Sequence, residues 1–251
     1  MASLGRRSAL SVALFPVLFV SVGICSAAAP VKKLEISEKN AGLLASLDRF
    51  PDLESLSIHC LEKLGALPDS IGKLTKLKEL IIDNGNGCVM NPLLPESIGN
   101  LRQLEKLVLY GAQDPRGTGS DAPVQPSARH KFPESMSQLK NLTYLDLGRN
   151  GLEEIPAFVK DLSQLRELRF QFNMKLKVIP PFLANLRELT TLKLDGDGLN
   201  DLPNFLNTVP KLSRVTLGDN CSITKSAAKK SDLKKRLPRL TLDFTDEFDC
   251  E

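Results

Sequence analysis

Between residues 142 and 156 the chain reads LTYLDLGRNGLEEIP, apolar at its first, fourth and sixth positions, asparagine at its ninth, and closed by a hydrophobe and a proline. The same apolar triplet recurs nine times, at Val31/Leu34/Ile36, Leu53/Leu56/Ile58, Leu77/Leu80/Ile82, Leu104/Leu107/Leu109, Leu142/Leu145/Leu147, Leu165/Leu168/Phe170, Leu189/Leu192/Leu194, Leu212/Val215/Leu217 and Leu237/Leu240/Leu242. Only 42% of the chain is hydrophobic, so full agreement at every triplet position reflects a period and not composition. A chain with such a period cannot bury its apolar positions one unit at a time and must stack its units into a single elongated body.

The frame resembles the leucine-rich-repeat family, in its typical class of roughly 23 residues per repeat, over almost all of the chain beyond the leader. The resemblance implies an α/β fold, a curved horseshoe solenoid with a parallel β-sheet on its concave face and short helices or turns on its convex face. Hydrophobe–proline pairs at Leu67-Pro68, Leu94-Pro95, Phe132-Pro133, Ile155-Pro156, Ile179-Pro180 and Leu202-Pro203 are expected to start each return segment, because proline presets the turn. The expected organisation is a leader over 1–29, an N-terminal cap over 30–50, repeats over 51–225 with an insertion loop at 113–130, and a C-terminal cap over 226–251.

Arg6 and Arg7, an apolar run from Ala9 to Ile24 and the small residues before Pro30 read as a secretory signal peptide cut after Ala28, rather than as a retained anchor. The mature protein is then expected to be secreted, extracellular or periplasmic, with no membrane span. Loss of the two leader arginines leaves 31 basic residues of the original 33 against 30 acidic, too balanced for a binder of nucleic-acid backbones.

The ninth position divides the array. It holds Asn150, Asn173, Asp197 and Asn220 in the back half but Leu61, Gly85 and Ala112 in the front half. Asparagine suits this place because its amide both donates and accepts. The front half is also irregular, with bulges at 83–92 and 113–130, the latter long and aperiodic as functional or disordered loops are. After Asn220 a basic amphipathic helix, with Leu233 facing in, and a last strand are expected to cap the array.

Cys60, Cys88, Cys221 and Cys250 remain after the leader and allow three pairings. The repeat frame puts Cys60 with Cys88 and Cys221 with Cys250 on neighbouring coils, close enough for disulfides. A zinc site fits poorly, since the thiols fall at opposite ends of the array. Of the two glycosylation acceptor motifs, Asn141 is the expected carrier, because Asn220 fills a buried ladder slot. Only His59 and His130 are present, and His59 should face away from Cys60, so neither catalysis nor a cofactor or metal is expected.

Binding is therefore expected, on the solvent-facing strand positions of the concave sheet. The candidates are Tyr110, Tyr144, Asp146, Arg149, Arg169, Gln171, Phe172 and Lys193, a set rich in the aromatic and arginine side chains that anchor protein interfaces. A protein ligand on a monomeric, non-catalytic module is the expectation. A glycan or cell-wall ligand is the alternative, against which the 5% aromatic content counts.

Overall fold

The computed structural model describes residues 29–59, 61, 66–83, 93–111, 132–176, 178–246 and 248. The leader, the 113–130 insertion, Cys60, Cys88 and Cys250 lie outside them, as does most of the 83–92 bulge.

Nine strands form one sheet in sequence order, every neighbouring pair parallel. They are β1 (Lys33–Ile36), β2 (Ser55–His59), β3 (Glu79–Asp83), β4 (Lys106–Tyr110), β5 (Tyr144–Asp146), β6 (Glu167–Arg169), β7 (Thr191–Lys193), β8 (Arg214–Thr216) and β9 (Thr241–Asp243). Sequential order with no crossover is the topology of a solenoid, in which each coil contacts only its neighbours. The register joins equivalent residues, for example Leu56, Leu80, Leu107 and Leu145, so the repeat frame is also the pairing frame.

From Leu53 to Leu217 every triplet residue is buried, at 0–2% exposure, and together they form one continuous core. Strand alternation puts the fourth and sixth positions on the inner face and the fifth on the other, while the first position lies just before the strand and turns inward from there. The N-terminal end departs from the expected frame. Val31 is 39% exposed and precedes β1, whose strand starts at Lys33. Among the described residues this coil has a neighbour on one side only, so its first apolar position is less covered than those of the inner coils.

The prolines 68, 95, 133, 156, 180 and 203 each cap a five-residue 3-10 helix, and the first of these runs from Asp69 to Lys73. Each helix ends on an inward apolar residue, such as Leu74 or Leu101, whose N–H bonds back to the helix's third residue. Two β-to-helix turns per coil leave too little chain for a longer α-helix, and the tighter 3-10 turn serves in short pieces. The return after β1, Glu38–Arg49, is likewise 3-10 and is broken by non-helical backbone at Asn40 and Ser46.

The convex side changes character along the array. The second residue of its helices is Ser70, Ser97 and Ser135 in front, then Phe158, Phe182 and Phe205 behind. In the front half the coils nearly touch: a Cβ at Gly72 would meet Ser97 Cβ and its carbonyl at 2.6 Å, and one at Gly99 would meet Ser135 likewise. Behind, Phe158 is buried against Phe132, ring centroids 5.5 Å apart.

At the C-terminus α1 (Cys221–Thr224) and α2 (Ala227–Arg236) replace the regular return. Ser226 caps α2 by accepting from the Lys229 amide, and Leu233 points into the core at 1% exposure. Arg236 clamps the helix to the coil before it, bonding Asp232, the Leu202 carbonyl at 2.9 Å, Asn204 Oδ1 at 2.6 Å and Asp201.

Candidate functional site

The outward residues of β4 to β8 form two rows across the concave face. One runs Lys106, Tyr144, Glu167, Thr191, Arg214, and the other Val108, Asp146, Arg169, Lys193, Thr216. Parallel strands lie roughly 4.8 Å apart, so side chains in one row are in contact range of the next strand's.

Tyr144 is the centre of these contacts. Lys106 Nζ sits 5.5 Å from its ring centroid on one side and Arg169 Cζ 5.0 Å on the other. Both cations are also tethered, Lys106 to Glu79 at 2.9 Å and Arg169 Nε to Glu167 Oε1 at 2.6 Å. Burial, followed by the Asp146 charge, pushes the Tyr144 hydroxyl up to about 12, so at neutral pH it is a neutral donor and acceptor. Asp146, placed by sequence on the solvent side, is only 7% exposed. It accepts the Gly148 amide at 2.9 Å, and burial raises its carboxyl despite that bond. Lys193 stands beside Arg169 in register, and its ammonium has no ion pair among the described residues.

A second cluster lies at the C-terminal ends of the strands. Arg149 Cζ lies 6.0 Å from the Tyr110 ring and 5.1 Å from the Phe172 ring. Phe172 meets Phe248 edge-on at 6.0 Å. Glycines make room for these rings: a Cβ at Gly148 would come within 2.9 Å of Tyr110, and one at Gly196 within 2.5 Å of Phe172. Arg149 and Phe172 have φ of 56° and 62°, and the turns that carry them are held from beneath by the amide ladder. Asn150 N donates to Asn173 Oδ1 at 3.0 Å, and Asn173 N to Asp197 Oδ1 at 2.8 Å.

The structure thus brings Tyr144, Asp146, Arg169 and Lys193 together on neighbouring strands, and gathers Tyr110, Arg149 and Phe172 along the strand ends. Gln171 is partly spent, since its amide donates to Asp195 Oδ2 at 2.8 Å. Asp195 also accepts from Thr216 Oγ1 at 2.5 Å and from the Gly218 amide at 2.9 Å, which makes it the organiser of the face between β6 and β8. Glu167 and Phe248 are the contributors that sequence reasoning left out of the site. The repeat frame already puts Glu167 and Asp195 on the open face. Their partners, however, are fixed by cross-strand geometry, and nothing in the tail marks Phe248.

Asn141 is exposed, with its amide nitrogen donating to the Arg102 carbonyl at 2.8 Å, whereas Asn220 is fully buried. His59 Nε2 lies 3.9 Å from Glu35 Oε1 on the open face. Among the described residues no group of three or more His, Cys, Asp or Glu could hold a metal ion, and no helix is long and apolar enough to cross a membrane. Cys221 is the one described cysteine of the four beyond the leader.

No protein-family model and no curated protein sequence matches the chain. Solved structures do. A leucine-rich-repeat protein of Leptospira interrogans aligns with 25% identity and a TM-score of 0.50, over 88% of this chain and 63% of that one. A chain of the Drosophila Toll–Spatzle complex aligns with 18% identity and a TM-score of 0.56, over 75% of this chain and 23% of that one. This chain therefore spans less than two thirds of the length of either. The sequential parallel sheet, the buried triplets, the asparagine ladder and these likenesses agree: the chain has the fold of a leucine-rich-repeat solenoid.

Proposed function

We propose that this solenoid is a secreted, non-catalytic recognition module that holds one protein partner on its concave face, around Tyr144, Arg169 and Lys193. The observation that carries the reading is the Tyr144 ring lodged between two cations on the flanking strands, with Lys193, which has no ion pair among the described residues, beside Arg169. An aromatic held rigid by its neighbours loses little freedom on binding, and tyrosine and arginine are the side chains on which interface energy concentrates. Arg169 already has Glu167 as a counter-ion, whereas Lys193 has none among the described residues, so an incoming carboxylate would pair with it. The partner's contact segment is therefore acidic. Tyr110, Arg149, Phe172 and the free end of Gln171 extend the contact along the strand ends. The leader is removed, Asn141 is the glycan carrier where the host glycosylates, and the array acts as a monomer.

Disulfides between Cys60 and Cys88 and between Cys221 and Cys250 belong to the same reading, since a secreted array benefits from covalent ties at its ends. Each would constrain the unfolded chain by about 3 kcal/mol.

The test is a pull-down with the mature protein beside a glycan array, followed by titration of the recovered partner. Tyr144→Ala combined with Arg169→Ala is expected to weaken binding by about 30-fold or more, the level of an interface anchor. Unchanged affinity in that variant, or binding to glycans with no protein recovered, sinks the reading.

A further inference from the structure

The amide ladder contains one residue that cannot do what its neighbours do. Asn150 Nδ2 donates to the carbonyls of Leu109 and Leu147, at 2.7 and 2.9 Å. Asn173 donates to those of Leu147 and Phe170, at 3.1 and 2.5 Å, and Asn220 to those of Leu194 and Leu217, at 2.7 and 3.0 Å. Each amide thus bridges the sixth-position carbonyl of its own coil and that of the coil before. Asp197 fills the slot between Asn173 and Asn220, where the same register presents the carbonyls of Phe170 and Leu194.

Asp197 is fully buried. Its Oδ1 accepts the Asn173 amide at 2.8 Å, as an asparagine oxygen would, but its Oδ2 has no hydrogen-bond partner among the described residues. An ionised carboxylate only accepts, so it would set a negative charge against two carbonyl oxygens in a dry interior. One proton on Oδ2 removes the charge and turns that atom into the donor the ladder needs. We propose that Asp197 is a buried proton-binding site, a neutral carboxylic acid whose Oδ2–H donates to the Phe170 or Leu194 carbonyl and so completes the ladder between its two asparagine neighbours.

Burial holds this carboxyl well above the ordinary range. The Asn173 N–H works against that shift, and the charge of Asp195 adds to it. Asn173 and Asn220, the ladder residues on either side, carry no charge. Because the folded value is raised, the stability the proton confers is complete below the unfolded carboxyl value near 3.9 and is lost as pH climbs through the folded one. The seventh coil is then a joint that weakens as pH rises, whatever partner the concave face takes.

Asp197→Asn supplies the missing amide and does not titrate, so it keeps the ladder at every pH. Urea unfolding of the full chain and of this variant, at pH 5, 6, 7 and 8, reads the difference directly. The wild-type unfolding constant is expected to rise relative to the variant's by up to about tenfold per pH unit until the folded value is passed. Asp195→Asn should leave most of that slope in place, and the Asp197 carboxyl carbon should keep its protonated NMR shift where exposed aspartates have ionised. Parallel stability profiles for wild type and Asp197→Asn, abolition of the slope by Asp195→Asn, or titration of Asp197 with the exposed aspartates overturns the proposal.

Discussion

Asn173 makes the ladder's energetics concrete. Its Oδ1 accepts the amides of Asn150 and Leu152, each at 3.0 Å, while its Nδ2 donates to two carbonyls. Asn173→Ala strands buried donors and acceptors on both neighbouring coils, and urea denaturation should show a loss of about 3–5 kcal/mol. Gly196 has a φ of 66° and the Phe172 ring over it, so Gly196→Ala should cost about 1–3 kcal/mol and displace that ring. Tyr144 makes a pH prediction. Its folded value of about 12 exceeds the ordinary value near 10, so the stability tied to its neutral form is present below pH 10 and lost as pH passes through 12. Ultraviolet titration should show a late phenolate step that Tyr144→Phe removes. At this scale the asparagine column could be read from sequence, because only an amide satisfies both sides of the turn. The Asp195 acceptor cluster could not, because Gln171, Thr216 and Gly218 reach it from three segments of the chain.

Among the elements, strands were the readable part. Alternation puts the fourth and sixth positions of each unit on one face, and the structure pairs the fourth-position leucines in the same frame. The returns were readable in position and not in type: proline marks where they begin, but the length left after two turns decides that they are 3-10. At the C-terminus the fixing of α2 depends on one arginine that reaches across to the preceding coil, a contact with no sequence period to announce it. Arg236→Ala should therefore accelerate hydrogen exchange across Ala227–Arg236 and cost about 1.5–3 kcal/mol, as expected for charge-assisted bonds. Unchanged exchange in α2 would show that Leu233 alone seats it.

For the molecule as a whole, the main contacts among the described residues run between neighbouring coils, so its stability is expected to be divisible. The front half lacks ladder asparagines at Leu61, Gly85 and Ala112, and depends on close glycine–serine packing on its convex side. Gly99→Ala places a Cβ within 2.6 Å of Ser135 backbone and should loosen residues 66–110 by about 1–3 kcal/mol. Exchange protection across 142–217 should persist in that variant, and its simultaneous loss would show one cooperative unit instead. The serine-to-phenylalanine change on the convex side also bears on how the opposite face bends. Hydrogen bonding fixes the strand spacing, so the wedge angle of each coil follows from what separates its outer edge from the next. Serine and glycine make thin wedges and phenylalanine makes thick ones, so a shallower arc is expected before β5 than after it. A straight rod laid along the face would lie flat against the front and bridge over Arg169 and Lys193. A partner that reaches both stretches has to bend, or present its tip, where the arc changes radius.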